Sequence, residues 1–186
     1  METFRGFIAV EVPVTDKILH FQEELAQTQA KLKLVSPQNI HITLKFLGDT
    51  PTTQVDALQS IITDAISTIK PHVIKLKGTG VFPSERYIKV IWIGLQHAQN
   101  LSTISSILNE KCTMIGVKKE KRDFSPHLTI GRNKSAQGKN HIISLIEQYR
   151  ETEFAEVLVN AIYLKKSTLT PKGPIYETIL SIPLQG

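Results

Sequence analysis

The sequence predicts an α+β fold with two lobes, in which two antiparallel-rich sheets flank a central cleft and helices cover the outer faces. The first supporting observation is a tetrad that occurs twice, as His41-Ile42-Thr43-Leu44 and as His127-Leu128-Thr129-Ile130. The second is the spacing: the histidines at positions 41 and 127 lie 86 residues apart in a chain of 186. The third is a repeated order of motif strand, helix and pair of strands. We therefore expect residues 1–186 to form a single domain with two pseudo-symmetric lobes that carry one motif each.

The first half of the chain is predicted to contain four strands and two helices. β-branched and alternating apolar residues indicate the strands, and apolar residues repeated every three or four positions indicate the helices. Pro13 and Pro71 separate neighbouring elements. In chain order the predicted elements are a strand at 4–12, a helix at 15–33, the first motif strand at about 39–47, a helix at 53–69 and strands at 72–78 and 87–95.

The second half repeats this order. A charged stretch separates the helix that begins this half from the second motif strand, and the turn TPKGP divides two strands at the end. The predicted elements are a helix at 98–115, the motif strand at 124–132, a helix at 139–150 and a hairpin of strands 156–165 and 175–182.

Residues two apart in a strand share a face, so each motif presents one imidazole and one hydroxyl on the same side. His41 then lies beside Thr43, and His127 lies beside Thr129, while the intervening aliphatic residues point into a core. If the two strands meet, two imidazoles and two hydroxyls face one cleft, which is suited to acid/base chemistry on phosphate esters. The competing interpretation is that both histidines merely cap or edge a sheet.

Composition restricts the class of protein without identifying a partner. The net charge is +5, which favours polyanions only modestly. Cys112 is the only cysteine, so no intramolecular disulfide or cysteine-based metal site is expected, and we predict that it is a small buried apolar residue. The opening residues METFRGFIAVEV are too short and too charged for a signal peptide or a membrane span. A cytoplasmic protein that does not bind membranes is expected.

Together, the two motifs resemble the 2H phosphoesterase superfamily. Further stretches are similar to its LigT-like branch, the RNA 2′,3′-cyclic phosphodiesterases of the 2′–5′ RNA ligase family, in the same order along nearly the whole chain. These stretches are FRGFIAVEV, NIHITLKFLGD, VIWIGL, FSPHLTIGR and STLTPKGPIYETI.

The resemblance implies a bilobal fold and hydrolysis of an RNA 2′,3′-cyclic phosphate end to a 2′-phosphate, with no metal and no cofactor. It implies His41 as proton donor, His127 as proton acceptor, and Thr43 and Thr129 as further catalytic residues; the residues alone do not favour this assignment of the histidines over its reverse. It also favours a substrate-binding role for Arg132, which a bulge at Gly131 permits to reach the cleft; the alternative for Arg132 is a surface ion pair. The expected partner is RNA or a related nucleotide, bound by a monomer.

Two alternatives to this function stay open. The same site also suits cleavage or ligation of a 2′–5′ linkage, and a third hypothesis is a nucleotide- or RNA-binding module without turnover. Among secondary candidates, Phe46 and Trp92 are predicted to pack in the core. The basic run 118–122 is interpreted as a solvated loop rather than a phosphate-steering patch, and the role of Arg5 is open.

Overall fold

Nine strands and four α-helices make up residues 2–185, which are the residues that this computed structural model describes. Three short 3₁₀ turns, Pro37–Asn39, Thr52–Gln54 and Cys112–Ile115, lie between them. The strands are β1 (Thr3–Glu11), β2 (Leu32–Leu34), β3 (His41–Pro51), β4 (His72–Ser84), β5 (Tyr87–Gln96), β6 (His127–Asn133), β7 (Glu153–Val159), β8 (Ala161–Thr170) and β9 (Gly173–Pro183). The helices are α1 (Asp16–Gln27), α2 (Val55–Ile66), α3 (Gln99–Lys111) and α4 (Lys139–Gln148).

The strands form two antiparallel sheets, each of which contains one motif strand. The first sheet has the order β3-β1-β8-β9, and the second has the order β2-β6-β5-β4-β7. The hairpin β4–β5 follows the first motif in sequence but pairs with the second motif strand, β6. The hairpin β8–β9 follows the second motif but joins the sheet of β3 through β1. The predicted α+β architecture is confirmed, and the two halves of the chain exchange hairpins.

The helices cover one face of each sheet and leave the other face for the site. Helix α3 packs on β3, where the Ser105 hydroxyl donates to the Leu44 carbonyl at 2.7 Å, and α2 packs on α3. On the second sheet, α1 contacts β2 and β7, while α4 contacts β4. Phe21 of α1 packs against Tyr149 and Phe154. None of the helices within residues 2–185 has the length and apolar character needed to cross a membrane.

Two predicted elements differ from the structure in type or number, and the strand predicted over 72–78 continues to Ser84. The helix predicted over 15–33 ends at Gln27, and Leu32–Leu34 instead forms β2, which pairs with β6. The strand predicted over 156–165 is two strands, because the chain leaves the second sheet after β7 and enters the first sheet at β8, with Asn160 between them. Both errors have one cause: tertiary pairing decides strand limits that local periodicity does not show.

A bulge in β3 moves two side chains away from their expected faces. Ile8 pairs with Lys45 and Ala9 pairs with Thr43, so Leu44 has no direct partner on β1. Leu44 and Lys45 are consequently both buried, although a regular strand would place them on opposite faces. Phe46 is turned outward and is 61% exposed. The prediction that Phe46 packs in the core is therefore wrong.

Lys45 is 1% exposed and anchors the segment that leads to the second motif. Its Nζ donates to Asn109 Oδ1 at 2.8 Å, to the Lys118 carbonyl at 3.0 Å and to Glu120 Oε1 at 3.3 Å. Asn109 also accepts from the Glu120 amide at 2.8 Å. The basic run 118–122 is thus exposed at its side chains but attached to β3 and α3 at its backbone.

We predict that Lys45→Ala lowers the free energy of unfolding by roughly 2–4 kcal/mol, because three polar partners lose a buried donor and the lysine stem leaves a void. Urea unfolding measures the change. Lys75→Ala is the matched control, since Lys75 also lies on a strand and pairs with Glu156 at 3.3 Å, but at a more exposed position. Lys75→Ala should lower the free energy of unfolding by less than about 1 kcal/mol. Equal losses in the two variants would contradict the anchoring role of Lys45.

Candidate active site

His41 is held at the first residue of β3 by the turn that precedes it. Its Nδ1 donates to the Asn39 carbonyl at 2.6 Å, and Asn39 is itself fixed by donating from Nδ2 to the Pro174 carbonyl at 2.8 Å. Because a carbonyl can only accept, Nδ1 carries a proton in both charge states of the imidazole. Nε2 is therefore the nitrogen without a hydrogen in the neutral ring, and it lies 2.9 Å from Thr43 Oγ1.

His127 repeats this arrangement at the first residue of β6. Its Nδ1 donates to the Ser125 carbonyl at 2.7 Å, again two residues earlier in the chain. The same tautomer follows, so Nε2 is the nitrogen without a hydrogen in the neutral ring. Thr129 lies two residues further along the strand, on the same face, and both side chains are half-buried. Both His-x-Thr pairs thus have the side-by-side arrangement expected from alternation.

Each histidine contacts aromatic side chains. The His41 ring lies 4.8 Å from Phe7 and 5.3 Å from Tyr176 between ring centroids, with Tyr176 edge-on at 87°. The His127 ring meets Phe82 edge-on, at 5.0 Å and 89°. Tyr176 belongs to the hairpin of the second half and Phe82 to the hairpin of the first. Each imidazole therefore has an aromatic neighbour that the other half of the chain supplies.

Trp92 lies on the site face of β5 rather than in the core, which corrects the prediction made from its apolar surroundings. It pairs with Thr129 and its ring packs 5.2 Å from Phe82. The opposite face of β5 is filled by Ile91 and Ile93, which are fully buried. The consecutive bulky residues in the run VIWIG gave no signal of which face meets the helices, so composition alone misassigned Trp92.

Hydrogen bonds between distant segments bring the two motifs together. β3 and β6 contact each other although they belong to different sheets. The Val35 amide, on the segment that leads to His41, donates to the Ile130 carbonyl of β6 at 2.8 Å. Buried Gln22 donates from Nε2 to the carbonyls of both Val35 and Ile130, at 2.8 and 3.2 Å. The approach to the first motif is thereby fastened beside the second motif strand.

A bulge places Arg132 on the same face as His127 and Thr129. Thr129 pairs with Trp92 but Gly131 pairs with Ile91, so Ile130 has no direct partner and the alternation shifts by one residue. Arg132 then lies opposite Val90, on the face that Trp92 shares. A regular strand would have pointed it into the core face.

The positive charge of Arg132, on the second sheet, acts electrostatically on Tyr176 of the first sheet. Burial raises the pKa of Tyr176, while the positive charges of Arg132 and Arg5 act in the opposite direction. Arg5 is exposed and lies two residues before Phe7 on the same face of β1. Arg132 and Arg5 therefore add positive charge around the tyrosine that contacts His41.

His41 lines a cavity of about 330 Å³ whose surroundings disfavour a charged imidazole. Burial lowers the pKa of His41, the bond to the Asn39 carbonyl raises it, and the positive charge of Lys165 lowers it. Lys165 also lines the cavity and donates to Glu11 and, at 2.7 Å, to Thr178 Oγ1. The net effect is a lowered pKa, which makes His41 a stronger acid when it is protonated.

Neither a cluster of metal ligands nor an exposed cysteine is found among residues 2–185. Within residues 2–185, the structure places no three or more His, Cys, Asp or Glu side chains close enough to bind one metal ion. Cys112 is fully buried, and burial raises the pKa of its thiol to about 11. This agrees with its predicted place in the core.

We predict that Lys165→Met raises the pKa of His41, because the substitution removes a positive charge and leaves the Glu11 carboxylate without its lysine. An NMR pH titration of the histidine imidazoles measures this. Lys166→Met is the control, since Lys166 is the next residue, lies on the other face of β8 and pairs with Glu177. An unchanged or lowered His41 pKa in Lys165→Met would contradict the described electrostatics.

Several known proteins are similar to this chain over nearly its full length. A Methanocaldococcus jannaschii protein named RNA 2′,3′-cyclic phosphodiesterase is 43% identical over 177 residues, which cover 94% of this chain and 98% of that protein. A protein of the same name from Aquifex aeolicus is 36% identical, with 100% of both chains covered. Another, from Methanothermobacter thermautotrophicus, is 34% identical over 92% of this chain and 94% of that protein.

Solved structures share the fold. A Thermus thermophilus protein, TT0787, superposes with a TM-score of 0.81 at 24% identity, with 98% of each chain covered. Escherichia coli LigT complexed with 3′-AMP superposes with a TM-score of 0.77 at 21% identity, with 100% of each chain covered. The family model described as LigT like phosphoesterase matches twice in succession, over residues 8–92 and 93–176. The chain therefore belongs to the LigT-like phosphoesterase family.

Proposed function

We propose that this protein hydrolyses the terminal 2′,3′-cyclic phosphate of RNA to a 2′-phosphate by two-histidine acid/base catalysis. The observation that carries the proposal is the pair of His-x-Thr units, each with its imidazole fixed in the same tautomer, on two strands that contact each other across the sheets. Relatives that bear the name RNA 2′,3′-cyclic phosphodiesterase support the choice of substrate.

In the proposed reaction, His127 Nε2 accepts a proton from water as the water oxygen attacks phosphorus. The bond between phosphorus and the ribose 3′ oxygen breaks, and His41 Nε2 donates its proton to that departing oxygen. One bond to phosphorus forms and one breaks, and one proton enters the protein as another leaves. In-line displacement requires the base and the acid on opposite sides of phosphorus, which two separate motif strands are suited to supply.

The hydroxyls and Arg132 stabilise the negative charge that builds on the non-bridging phosphate oxygens. When His41 is protonated, its Nε2 carries a hydrogen and can no longer accept from Thr43 Oγ1, so the threonine hydrogen is available to the phosphate. The Thr129 hydroxyl, beside His127, donates to the phosphate in the same way. Arg132, which the bulge turns toward this face, provides a charge-assisted donor that binds the substrate phosphate.

The lowered pKa of His41 is compatible with a proton donor. A bound phosphodiester brings a negative charge next to the imidazole and raises its pKa in the complex. Protonation of His41 is thus favoured when substrate is present, and the same proton is released readily once charge moves onto the leaving oxygen. We further propose that the protein works as a monomer in the cytoplasm and uses no metal or cofactor, since the two imidazoles supply both proton transfers.

The test is incubation with a short RNA that ends in a 2′,3′-cyclic phosphate, with a chelator present, followed by identification of the phosphate position. We expect a 2′-phosphate. His41→Ala and His127→Ala should each lower kcat by about 10²–10⁴-fold, because each removes one proton transfer. Thr43→Val and Thr129→Val should each cost on the order of 10²-fold, as expected for loss of one transition-state donor.

His72→Ala is the matched control. His72 Nδ1 also donates to a carbonyl two residues earlier, that of Lys70 at 2.8 Å, but Ile74 stands where each motif has threonine. This variant should keep wild-type kcat. If the protein cleaves a 2′–5′ dinucleotide but leaves the cyclic-phosphate RNA unchanged, the 2′–5′ alternative is favoured. Tight binding of cyclic-phosphate RNA without any product would favour the binding module, and full activity of both histidine variants would contradict the mechanism.

A further inference from the structure

A second cavity of about 500 Å³ lies next to the candidate active site, and five basic residues line it. Two side chains come from β5 and the turn before it, two from β6 and the residue after it, and one from the start of α4. They are Arg86, Lys89, Arg132, Lys134 and Lys139. Apart from Arg132, the proposed reaction uses none of them.

Hydrogen bonds fix the walls of this basic cavity. Lys139 Nζ donates to the Arg86 carbonyl at 3.2 Å, which ties α4 to the β4–β5 turn. Asn133 Nδ2 donates to the Ile88 carbonyl at 3.3 Å and to the Ser135 carbonyl at 2.6 Å, which ties the loop after β6 to β5. The cations thus project from a connected framework rather than from independent loops.

The positive charge of the basic cavity is not neutralised by the protein. Among residues 2–185, none of its five cations takes part in an ion pair, and no Asp or Glu lines the cavity. Lysines elsewhere in the fold do have such partners: Lys75 pairs with Glu156 and Lys77 with Glu151. A concentrated, unpaired positive field in a cavity attracts a polyanion.

An exposed aromatic ring in the same cavity narrows the class of polyanion. Tyr87 lines the cavity and is 63% exposed, with Lys89 Nζ 5.0 Å from the ring centroid. Cations that bind phosphates, together with an aromatic ring that stacks on a base, are the elements by which proteins bind single-stranded RNA. A free inorganic phosphate has no base that could stack on the ring.

Arg132 joins the basic cavity to the candidate active site. It lines the cavity, lies on the face of β6 that carries His127 and Thr129, and acts electrostatically on Tyr176 beside His41. A strand whose 3′ end lies between the two histidines therefore meets the basic cavity beyond Arg132.

We propose that the basic cavity binds the RNA strand on the 5′ side of the cyclic phosphate, so that the protein prefers oligonucleotides to cyclic mononucleotides. This inference rests on the proposed function, because it takes the strand's 3′ end to lie between the histidines. The phosphates upstream of the terminal nucleotide contact Lys89, Lys134 and Lys139, and a base stacks on Tyr87.

The experiment compares a 2′,3′-cyclic mononucleotide with a hexaribonucleotide that ends in the same cyclic phosphate. The triple variant Lys89→Ala/Lys134→Ala/Lys139→Ala should lower kcat/KM for the hexamer at least about tenfold, because several phosphate contacts are lost. Its kcat/KM for the mononucleotide should stay at the wild-type value, which also shows that the variant is folded. For the hexamer, the slope of log(kcat/KM) against log salt should weaken by roughly 0.7 for each lost contact.

The control is Lys118→Ala/Lys121→Ala/Arg122→Ala, which removes the same charge from the exposed basic run before the second motif. It should keep the preference for the hexamer. The inference would be overturned if both triple variants lost kcat/KM for the hexamer equally, or if the wild type had the same kcat/KM for both substrates. Either result would leave the proposed hydrolysis standing. Binding of the fluorescently labelled hexamer is measured in parallel. If the wild type hydrolyses neither substrate, the proposed hydrolysis is contradicted. If the hexamer binding is then lost in the cavity variant and kept in the control variant, the cavity is still supported as an RNA site.

Discussion

The site depends on one hydrogen bond that occurs twice, from the Nδ1 of each motif histidine to the carbonyl two residues earlier. In both places the histidine is the first residue of its strand. The Pro37–Asn39 turn precedes His41, and the irregular segment Ser125-Pro126 precedes His127. The hydrogen bond also determines the tautomer, so that in both imidazoles Nε2 is the nitrogen left for another partner. Strand alternation then places a threonine beside each histidine.

Exchange of hairpins between the halves completes this arrangement. Tyr176 from the second half contacts His41, and Phe82 from the first half contacts His127. Neither half contains a histidine together with its edge-on aromatic neighbour, so both halves must be folded for either imidazole to have its full surroundings. Two bulges adjust the faces: the one in β3 buries Lys45, and the one in β6 turns Arg132 toward the site.

Much of the fold and of the candidate site could be predicted from the chain, because both depend on local patterns. Apolar periodicity located all four α-helices, and alternation placed His41 beside Thr43 and His127 beside Thr129. Gly131 gives a signal for the bulge in β6, but the bulge in β3 has none, because it depends on the hydrogen-bond register with a partner strand. The sequence therefore places Phe46 in the core. The carbonyls of Asn39 and Ser125 were missed, since every residue has a carbonyl and the side chain gives no signal.

The basic cavity shows a further limit of sequence patterns. The contiguous run at 118–122 is recognisable as basic because its charges are adjacent in sequence. The cations of the cavity are scattered between positions 86 and 139, and only the pairing of β5 with β6 and the packing of α4 gather them. A charged cluster that the fold assembles from distant residues cannot be predicted from runs of charge along the chain.

The most direct measurement of the central claim, that two imidazoles work in opposite protonation states, is the pH dependence of kcat and kcat/KM for a cyclic-phosphate RNA. Both profiles should be bell-shaped. The donor is lost as pH rises through its pKa, and that pKa is lowered in free His41 and raised again by bound phosphate. The alkaline limb should therefore fall at lower pH for kcat/KM, which reports the free protein, than for kcat. Profiles that are flat between about pH 5 and 9 would contradict the two-histidine account, because an unperturbed imidazole titrates near 6.5.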